Sequence, residues 1–138
     1  MIKVQREDIG IAAVLDSVKG PESGGVVTFI GTVRDNAKGR RVANMDIEVY
    51  ESMALKQLEI ITDEAIEKFG VHKVSVAHRY GELLVEDNIV YIAVAAGHRK
   101  EAFKACQYVI DELKQRVPIW KRETTPEGDF WVEGEKRE

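Results

Sequence analysis

The chain has 138 residues, 44% of them hydrophobic and 32% charged, with a formal net charge of −4 at pH 7 and one cysteine. Length and composition predict one globular domain over residues 1–138, and the acidic balance argues against nucleic-acid binding, which depends on a basic surface. The longest apolar run, residues 89–96, is too short to span a bilayer, and the N-terminus becomes charged at once. A lone cysteine fits a reducing compartment. We therefore expect a soluble cytoplasmic protein with no membrane partner.

The hydrophobic pattern predicts the N-terminal elements in turn. Asp8 is placed to cap a first helix, whose apolar residues recur at helical spacing until Gly20 ends it. Residues 26–33 are rich in β-branched side chains and predict a strand. A polar, basic connection over residues 34–41 then leads to residues 42–51, whose alternating apolar and acidic side chains predict the returning strand.

The middle of the chain predicts a second helix and two further strands. Ser52 is a candidate N-cap of the helix, and Gly70 ends it. Residues 71–80 alternate as a strand, and residues 81–82 predict a turn. Residues 88–96 are so continuously apolar that we expect a central strand covered on both faces.

A third helix is predicted from about residue 98 to residue 116. Its apolar stripe consists of Ala102, Phe103, Cys106, Val109, Ile110 and Leu113. Pro118 ends the helix near Val117, because proline lacks an amide donor and its ring clashes with the preceding turn. The tail turns at residues 125–128 and closes with a short strand at residues 130–132. This order of helices and locally paired strands predicts an α+β fold with a mainly antiparallel sheet and three main helices.

The residues around Pro118 place four cations in an acidic chain: Lys114, Arg116, Lys121 and Arg122. Lys114 falls in the last helical turn and Lys121 on the strand that follows, so the reversal at the proline folds two ammonium groups toward one place. A small anionic molecule is the expected occupant. Lys114 borders the apolar stripe, so we expect it to be partly buried, where a lysine is able to act as acid, base or nucleophile. Two plainer interpretations stay open: the stem of Lys114 covers apolar surface, and the strand cations discourage aggregation.

Other titratable residues have simpler interpretations. Cys106 lies on the apolar stripe, so we interpret it as a core thiol rather than as a nucleophile. His72 and His78 share a strand face, but no further ligands stand at metal-binding spacing, so we predict no zinc site.

A second cationic region opens the third helix. His98 and Arg99 stand where unpaired amides and the helix dipole favour an anion, although a solvated basic turn is an equal alternative. Arg34, which begins the basic connection, suits bidentate contact with phosphate or carboxylate. His98 and Lys114 lie sixteen residues apart on one predicted helix, about 24 Å at a rise of about 1.5 Å per residue. If both serve one small substrate, the site combines two subunits of a symmetric homodimer.

Longer motifs connect these residues. They are residues 29–34 (Phe-Ile-Gly-Thr-Val-Arg), residues 77–82 (Ala-His-Arg-Tyr-Gly-Glu), residues 97–99 (Gly-His-Arg) and, above all, residues 113–132. From about Gly24 to Glu133 the chain resembles the large, catalytic subunit of molybdopterin synthase, the MoaE family. The segment before Gly24 matches that pattern poorly, and Gly97 stands where a slightly larger residue such as alanine is expected.

The resemblance implies an α/β-hammerhead fold within the α+β class. It also implies a homodimer at the centre of a heterotetramer, with a small ubiquitin-like sulfur-carrier subunit (MoaD-like) at each end. The carrier's C-terminal Gly-Gly tail, as a thiocarboxylate, supplies the two sulfur atoms that convert cyclic pyranopterin monophosphate, a small-molecule pterin, into the dithiolene of molybdopterin. No bound metal or other cofactor is implied.

By the same resemblance, Lys114 and Lys121 match the family's essential, catalytic lysines. The residues that match or flank its substrate-binding positions are Arg34, Thr32, Val33, His98, Arg99, Arg122 and Glu123. Lys136 and Arg137 are candidates for a further basic position near the C-terminus. Two other functions stay open from the residues alone: an anion-binding adaptor that docks a ubiquitin-like protein without catalysis, and a Schiff-base lysine enzyme that acts alone on a carbonyl substrate.

Overall fold

The structure, a computed structural model, describes residues 1–132. Its helices are α1 (Ile11–Val18), α2 (Glu51–Phe69) and α3 (Arg99–Arg116). Its strands are β1 (Ile2–Gln5), β2 (Gly25–Thr32), β3 (Asn36–Ala37), β4 (Arg40–Arg41), β5 (Asn44–Val49), β6 (Lys73–Arg79), β7 (Gly81–Leu84), β8 (Asn88–Ala96), β9 (Ile119–Thr125) and β10 (Gly128–Trp131). Among these strands only β1 and β6 pair in parallel, so the predicted α+β class, with mainly antiparallel sheet and three main helices, is confirmed.

The central strand of the first sheet is β8, and the sheet has the order β1-β6-β8-β2. Residues 89–96 are all buried, because helices cover both faces of this strand. Val90, Ile92 and Val94 join the main core with α2 and α3, whereas the alternate residues join a smaller cluster with α1. The predicted central strand, covered on both faces, is therefore confirmed.

The second sheet has the order β10-β9-β5-β7 and packs one face against the main core. Met45 and Ile47 of β5 point into that core. The predicted local pairing of β2 with the next long strand is wrong, since β2 pairs with β8, and β5 pairs with β9 and β7. The small hairpin β3–β4 connects β2 to β5 along the chain. Alternation reveals which face of a strand is buried, but not which strand lies beside it.

Three local expectations also differ from the structure. Residues 81–82 do not form a turn but begin β7, because Gly81 absorbs the bend with a φ of 93°. Residues 2–5, for which no element was predicted, form β1 alongside β6. Phe103 is 62% exposed, because it lies about 100° around α3 from the buried Ala102 and so leaves the core-facing side.

The predicted helix caps at Asp8 and Ser52 are wrong. Gly10 precedes α1 and Tyr50 precedes α2, and neither helix has a side-chain cap. The Asp8 carboxylate instead accepts hydrogen bonds from the Gly10 N–H at 3.3 Å and from the Tyr91 hydroxyl. Asp8 therefore fastens the chain before α1 to the central strand β8.

The predicted ends of α2 and of the chain's last hairpin are confirmed. Gly70 ends α2 in the left-handed region with a φ of 66°. The Thr125 hydroxyl donates to the Gly128 carbonyl at 2.8 Å and accepts from the Glu127 N–H at 3.2 Å. These two bonds close the turn between β9 and β10.

Candidate active site

Pro118 ends α3 and reverses the chain into β9, as predicted. Val117 is extended and donates its N–H to the Leu113 carbonyl at 3.0 Å, while the Pro118 carbonyl accepts from the Tyr50 N–H at 3.1 Å. Lys114 lies in the last turn of α3 and is exposed, so its predicted partial burial is wrong. The core-facing position belongs to Leu113, and Lys114 lies about 100° further around the helix.

Lys121 lies on the inner face of β9, the face that packs toward the core. It stands directly opposite Ile47 of β5, and opposed residues of an antiparallel pair share one face. Nearby, His78 of β6 is 2% exposed, and its Nδ1 donates to the Arg79 carbonyl at 2.8 Å. Burial, and then the positive charge of Lys121, lower the pKa of His78 to about 4. At neutral pH the half-buried Lys121 therefore lies near an uncharged histidine.

Arg122 points to the outer face of the same strand. Its guanidinium contacts Asp46 at 3.1 Å and Asp129 at 3.9 Å, and its Cζ lies 5.6 Å from the centre of the Trp131 ring. These contacts join three neighbouring strands of the second sheet. The side chains of Arg122 and Lys121 therefore lie on opposite faces of β9, although the two residues are consecutive in the chain.

The end of β2 lies at the same end of the first sheet as His78. Gly31 and His78 stand on either side of Val90, each paired with it. The residues that follow Gly31 are Thr32, Val33 and Arg34; the middle one is buried, and the other two are exposed. The helix α3 starts at the opposite end of β8 and packs back along β8 and β2, so its last turn approaches this end as well. Three cations thus share one end of the molecule: Arg34, Lys114 and Lys121.

The basic connection after Arg34 is a hairpin that contacts the second sheet. Lys38 and Gly39 form its tip with φ values of 50° and 79°. Arg40 stacks on Phe130 of β10, with its Cζ 3.8 Å from the ring centre. Phe130 pairs with Glu123 and shares the inner face of the sheet with Lys121. This contact, which the sequence pattern did not indicate, holds the connection near the cationic end.

His98 and Arg99 lie at the other end of the first sheet. His98 precedes α3 with extended backbone, and both side chains are exposed. Gly24, just before β2, donates its N–H to the Ala96 carbonyl at 2.9 Å. A Cβ on Gly24 would lie 2.4 Å from the Gly97 carbonyl oxygen. The start of β2 and the start of α3 are therefore packed together.

The predicted separation of the two cationic regions is confirmed within the described chain. The helix α3 runs without interruption from Arg99 to Arg116, so Lys114 and His98 stand about 24 Å apart. One chain gathers Arg34, Lys114 and Lys121, and it holds His98 and Arg99 at the opposite end. Each region alone offers only part of the predicted anion site.

Cys106 and Arg116 have structural roles. Cys106 is buried in the main core, and burial raises the pKa of its thiol to about 11, so it stays protonated at neutral pH. This confirms its interpretation as a core residue. Arg116 contacts Glu64 of α2 at 2.6 Å and Glu112 at 3.2 Å. It thereby fastens α3 to α2.

Some site predictions lie outside these observations. Lys136 and Arg137 fall outside the described residues. Within residues 1–132, no three His, Cys, Asp or Glu side chains are grouped to hold a metal ion. Over the same residues, no helix is long and apolar enough to cross a membrane.

Comparison with known proteins gives consistent matches along the chain. The family described as "MoaE protein" matches residues 4–116. A molybdopterin synthase catalytic subunit of Pyrococcus abyssi is 45% identical over 130 residues, which cover 94% of this chain and 88% of that protein. The crystal structure of molybdopterin synthase from Staphylococcus aureus matches with a TM-score of 0.90 and 37% identity, covering 94% of this chain and 95% of that one. A Helicobacter pylori complex of subunits 1 and 2 of molybdopterin-converting factor contains the same fold, with a TM-score of 0.78 at 18% identity, covering 99% of this chain and 92% of that one.

Proposed function

The chain belongs to the MoaE family, and we propose that its cationic end is the sulfur-transfer site of a molybdopterin synthase catalytic subunit. The enzyme transfers sulfur in the formation of molybdopterin. We propose that the sulfur arrives as the thiocarboxylate of a small ubiquitin-like carrier and that the acceptor is cyclic pyranopterin monophosphate. We further place the protein in the cytoplasm, with residues 1–138 acting as one domain.

The observation that carries this proposal is the convergence of Arg34, Lys114 and Lys121 at one end of an acidic protein. Both proposed substrates are anions, since one is a phosphate ester and the other a thiocarboxylate. A local cationic site attracts and holds such groups even when the whole protein is acidic. The buried, protonated Cys106 supports a sulfur source outside the chain.

The two lysines are proposed to divide the chemistry between them. Lys114, exposed at the end of α3, is placed to meet the carrier tail, where it binds the thiocarboxylate or moves protons during transfer. Lys121, half-buried on the inner face of β9, stabilises with Arg34 the charge that develops on phosphate and pterin oxygens. Each transfer forms a carbon–sulfur bond on the pterin and breaks the acyl carbon–sulfur bond of the carrier's thiocarboxylate. The acyl carbon takes up an oxygen, from water or from the oxygen displaced at the pterin carbon, so the carrier tail leaves as a carboxylate.

The neighbouring residues are proposed to shape this pocket. Thr32 and Val33 lead into Arg34, and Glu123 shares the inner face of β9 with Lys121. Arg122 stays a predicted substrate contact, but in the described chain Asp46 and Asp129 hold its guanidinium on the outer face.

We propose that a second copy of the chain completes the site. Its His98 and Arg99 would hold the phosphate beside the first copy's lysines, because the two cationic regions of one chain are too far apart for one small substrate. The homodimer would form the centre of a heterotetramer with one carrier bound at each end. Each substrate pocket would then draw on two catalytic subunits and one carrier.

Reconstitution tests the catalytic role. The protein, thiocarboxylated carrier and the cyclic pterin are mixed, and the dithiolene product is measured. Lys114→Ala is expected to abolish product while the carrier still binds, as measured by titration calorimetry. Unimpaired turnover of that variant would refute the assignment of Lys114, and carrier binding without turnover by the unmodified protein would favour an adaptor.

A further inference from the structure

The pairing of β2 with β8 shifts by one residue just before β2 ends. Gly31 pairs with Val90, but the next residue, Thr32, pairs with Asn88, so Ile89 has no partner on β2. One extra residue on one strand is a β-bulge, which bends the strand pair and redirects the chain beyond it. Gly31 permits the close approach at this point, since a Cβ there would lie 2.8 Å from the Val90 Cγ1. The bulge therefore sets the direction in which the chain leaves β2.

The turn between β7 and β8, residues 84–87, holds the residue that precedes Arg34. The Val33 N–H donates to the Asp87 carbonyl at 3.0 Å, and the Val33 carbonyl accepts from the Glu86 N–H at 2.9 Å. The Val33 side chain is 2% exposed and belongs to the main core. Its backbone and its side chain are thus both fixed, and the exposed Arg34 extends from a backbone position that the β7–β8 turn determines.

The Asp87 side chain closes this turn. The Leu84 N–H donates to the Asp87 carboxylate at 2.9 Å, and the Asp87 N–H donates to the Leu84 carbonyl at 3.0 Å. Glu86, between them, has a φ of 76°, in the left-handed region that residues other than glycine rarely adopt. Because that conformation costs free energy, the turn depends on the bonds between Asp87 and Leu84.

The β8 side of the turn is anchored to buried groups. The Asn88 side-chain amide donates to the Tyr91 hydroxyl at 2.8 Å, and the Asn88 carbonyl accepts from Nη1 of Arg79 at 3.3 Å. Tyr91 is 1% exposed, and its hydroxyl donates to the Asp8 carboxylate. These bonds fix the residue after the turn to β6 and to the segment before α1. The opposite side of the turn is held by the bonds between Asp87 and Leu84.

We propose that Asp87 is a positioning residue for Arg34, because it closes the turn that fixes Val33 and thereby places the Arg34 guanidinium for the anionic substrate. This proposal rests on the proposed function, which assigns Arg34 to the charge on phosphate and pterin oxygens. The Asp87 carboxylate is itself negative, so its charge alone opposes anion binding at Arg34. Its geometric effect favours the reaction. Substitutions that remove only the charge and substitutions that open the turn therefore have different consequences.

Two substitutions of Asp87 separate geometry from charge. Asp87→Ala leaves the Leu84 N–H without its acceptor and should lower kcat/KM for the cyclic pterin about tenfold or more, because Arg34 is then misplaced. Asp87→Asn lacks the charge but keeps an amide oxygen that accepts from Leu84, so it should stay within about twofold of the unmodified protein. Equal losses in the two variants would overturn the geometric role of Asp87.

A double-mutant cycle separates positioning from a general loss of structure. In a protein that already carries Arg34→Ala, Asp87→Ala should lower kcat/KM by less than about twofold, since no guanidinium remains to be placed. The control is Ser17→Ala, which removes hydroxyl bonds to the Val14 carbonyl at 2.6 Å and to Ser75 at 2.7 Å. It should lower the melting temperature and leave kcat/KM unchanged in both backgrounds. The same loss from Asp87→Ala with and without Arg34 would overturn the positioning role.

Hydrogen exchange tests the effect of Asp87 on Val33 without any substrate. The N–H groups of Val33 and Glu86, followed by NMR, should exchange at least about tenfold faster in Asp87→Ala than in the unmodified protein, and no faster in Ser17→Ala. Unchanged exchange in Asp87→Ala would overturn the proposal even if the protein forms the dithiolene. An unmodified protein that forms no dithiolene would instead refute the proposed function, whereas faster exchange would still support the hold of Asp87 on Val33.

Discussion

Lys121 and Arg122 are consecutive in the chain but lie on opposite faces of β9. Lys121 points inward beside Ile47, where its positive charge helps to lower the pKa of the buried His78. Arg122 points outward and pairs with Asp46. The strand geometry therefore separates two cations that the sequence places together. Of the two, only Lys121 points to the inner face of the sheet, the side on which the buried His78 lies.

This separation predicts unequal effects of two neighbouring substitutions. Lys121→Ala should lower the single-turnover rate at least about 100-fold, as expected when a preorganised charge is removed from a site. Arg122→Ala should lower it less than about tenfold and reduce the free energy of unfolding by at most about 1 kcal/mol, because exposed ion pairs contribute little. Rate measurements with thiocarboxylated carrier and urea unfolding check both values. Equal losses of rate would place Arg122 in the pocket.

The burial of His78 predicts that the folded protein loses stability in acid. Its pKa is lowered from 6.5 to about 4 in the folded protein, so the unfolded chain binds this proton more readily. The free energy of unfolding should therefore fall as pH drops from about 6.5 to about 4, by roughly 3 kcal/mol from this residue. His78→Asn retains an amide donor for the Arg79 carbonyl but does not titrate.

Urea unfolding at pH 7 and at pH 4 measures the effect of His78. The decrease in stability between the two pH values should be smaller for His78→Asn than for the unmodified protein. Asp8 and Glu64, whose carboxyl pKa values are lowered by Tyr91 and Arg116 respectively, only begin to lose their contributions near pH 4, and they do so equally in both proteins. An identical decrease in the two proteins would show that His78 does not titrate as described.

Two glycines that pack together, Gly24 before β2 and Gly97 before α3, predict opposite outcomes. Gly24→Ala should destabilise the protein and disturb the His98 region, since its Cβ would lie 2.4 Å from the Gly97 carbonyl oxygen. Gly97→Ala meets nothing nearer than the His72 ring at 3.9 Å and should be neutral or stabilise by about 0.4–1 kcal/mol, through reduced freedom of the unfolded chain. Thermal unfolding distinguishes the two, and equal melting temperatures would contradict the packing of Gly24.

The burial of Cys106 predicts that its substitution does not affect turnover. Cys106→Ala should retain full turnover and lose only a little stability, because the buried thiol is protonated and lies away from the cationic end. A thiol reagent should label the unmodified protein slowly when folded and quickly in urea. Loss of turnover in a folded Cys106→Ala variant would show that the chain carries sulfur itself.

The sequence predicted those parts of the fold that depend on local chemistry. Continuous apolar character identified the central strand β8, Gly70 and Pro118 identified helix ends, and residues 125–128 identified the last turn. Each depends on a backbone restriction or a burial pattern that neighbouring residues reveal.

Pairing and orientation required the three-dimensional structure. The partner of β2 lies about 60 residues away in sequence, and local alternation contains no information about it. The site was predicted in the same way, since a helix stop and a sequence motif identified Lys114 and Lys121. They did not indicate on which face of its helix or strand each lysine lies. Burial of His78 and the stacking of Arg40 on Phe130 arise from contacts between distant segments, so neither had a local signature.

The most direct test of the composite site uses a purified mixed dimer, with Lys114→Ala in one chain and His98→Ala in the other. One of its two pockets would lack both residues, and the other would contain Lys114 from one chain and His98 from its partner. The account predicts dithiolene formation at about half the rate of the unmodified dimer, with either mutant homodimer inactive. A mixed dimer no more active than the mutant homodimers would contradict a site shared between subunits.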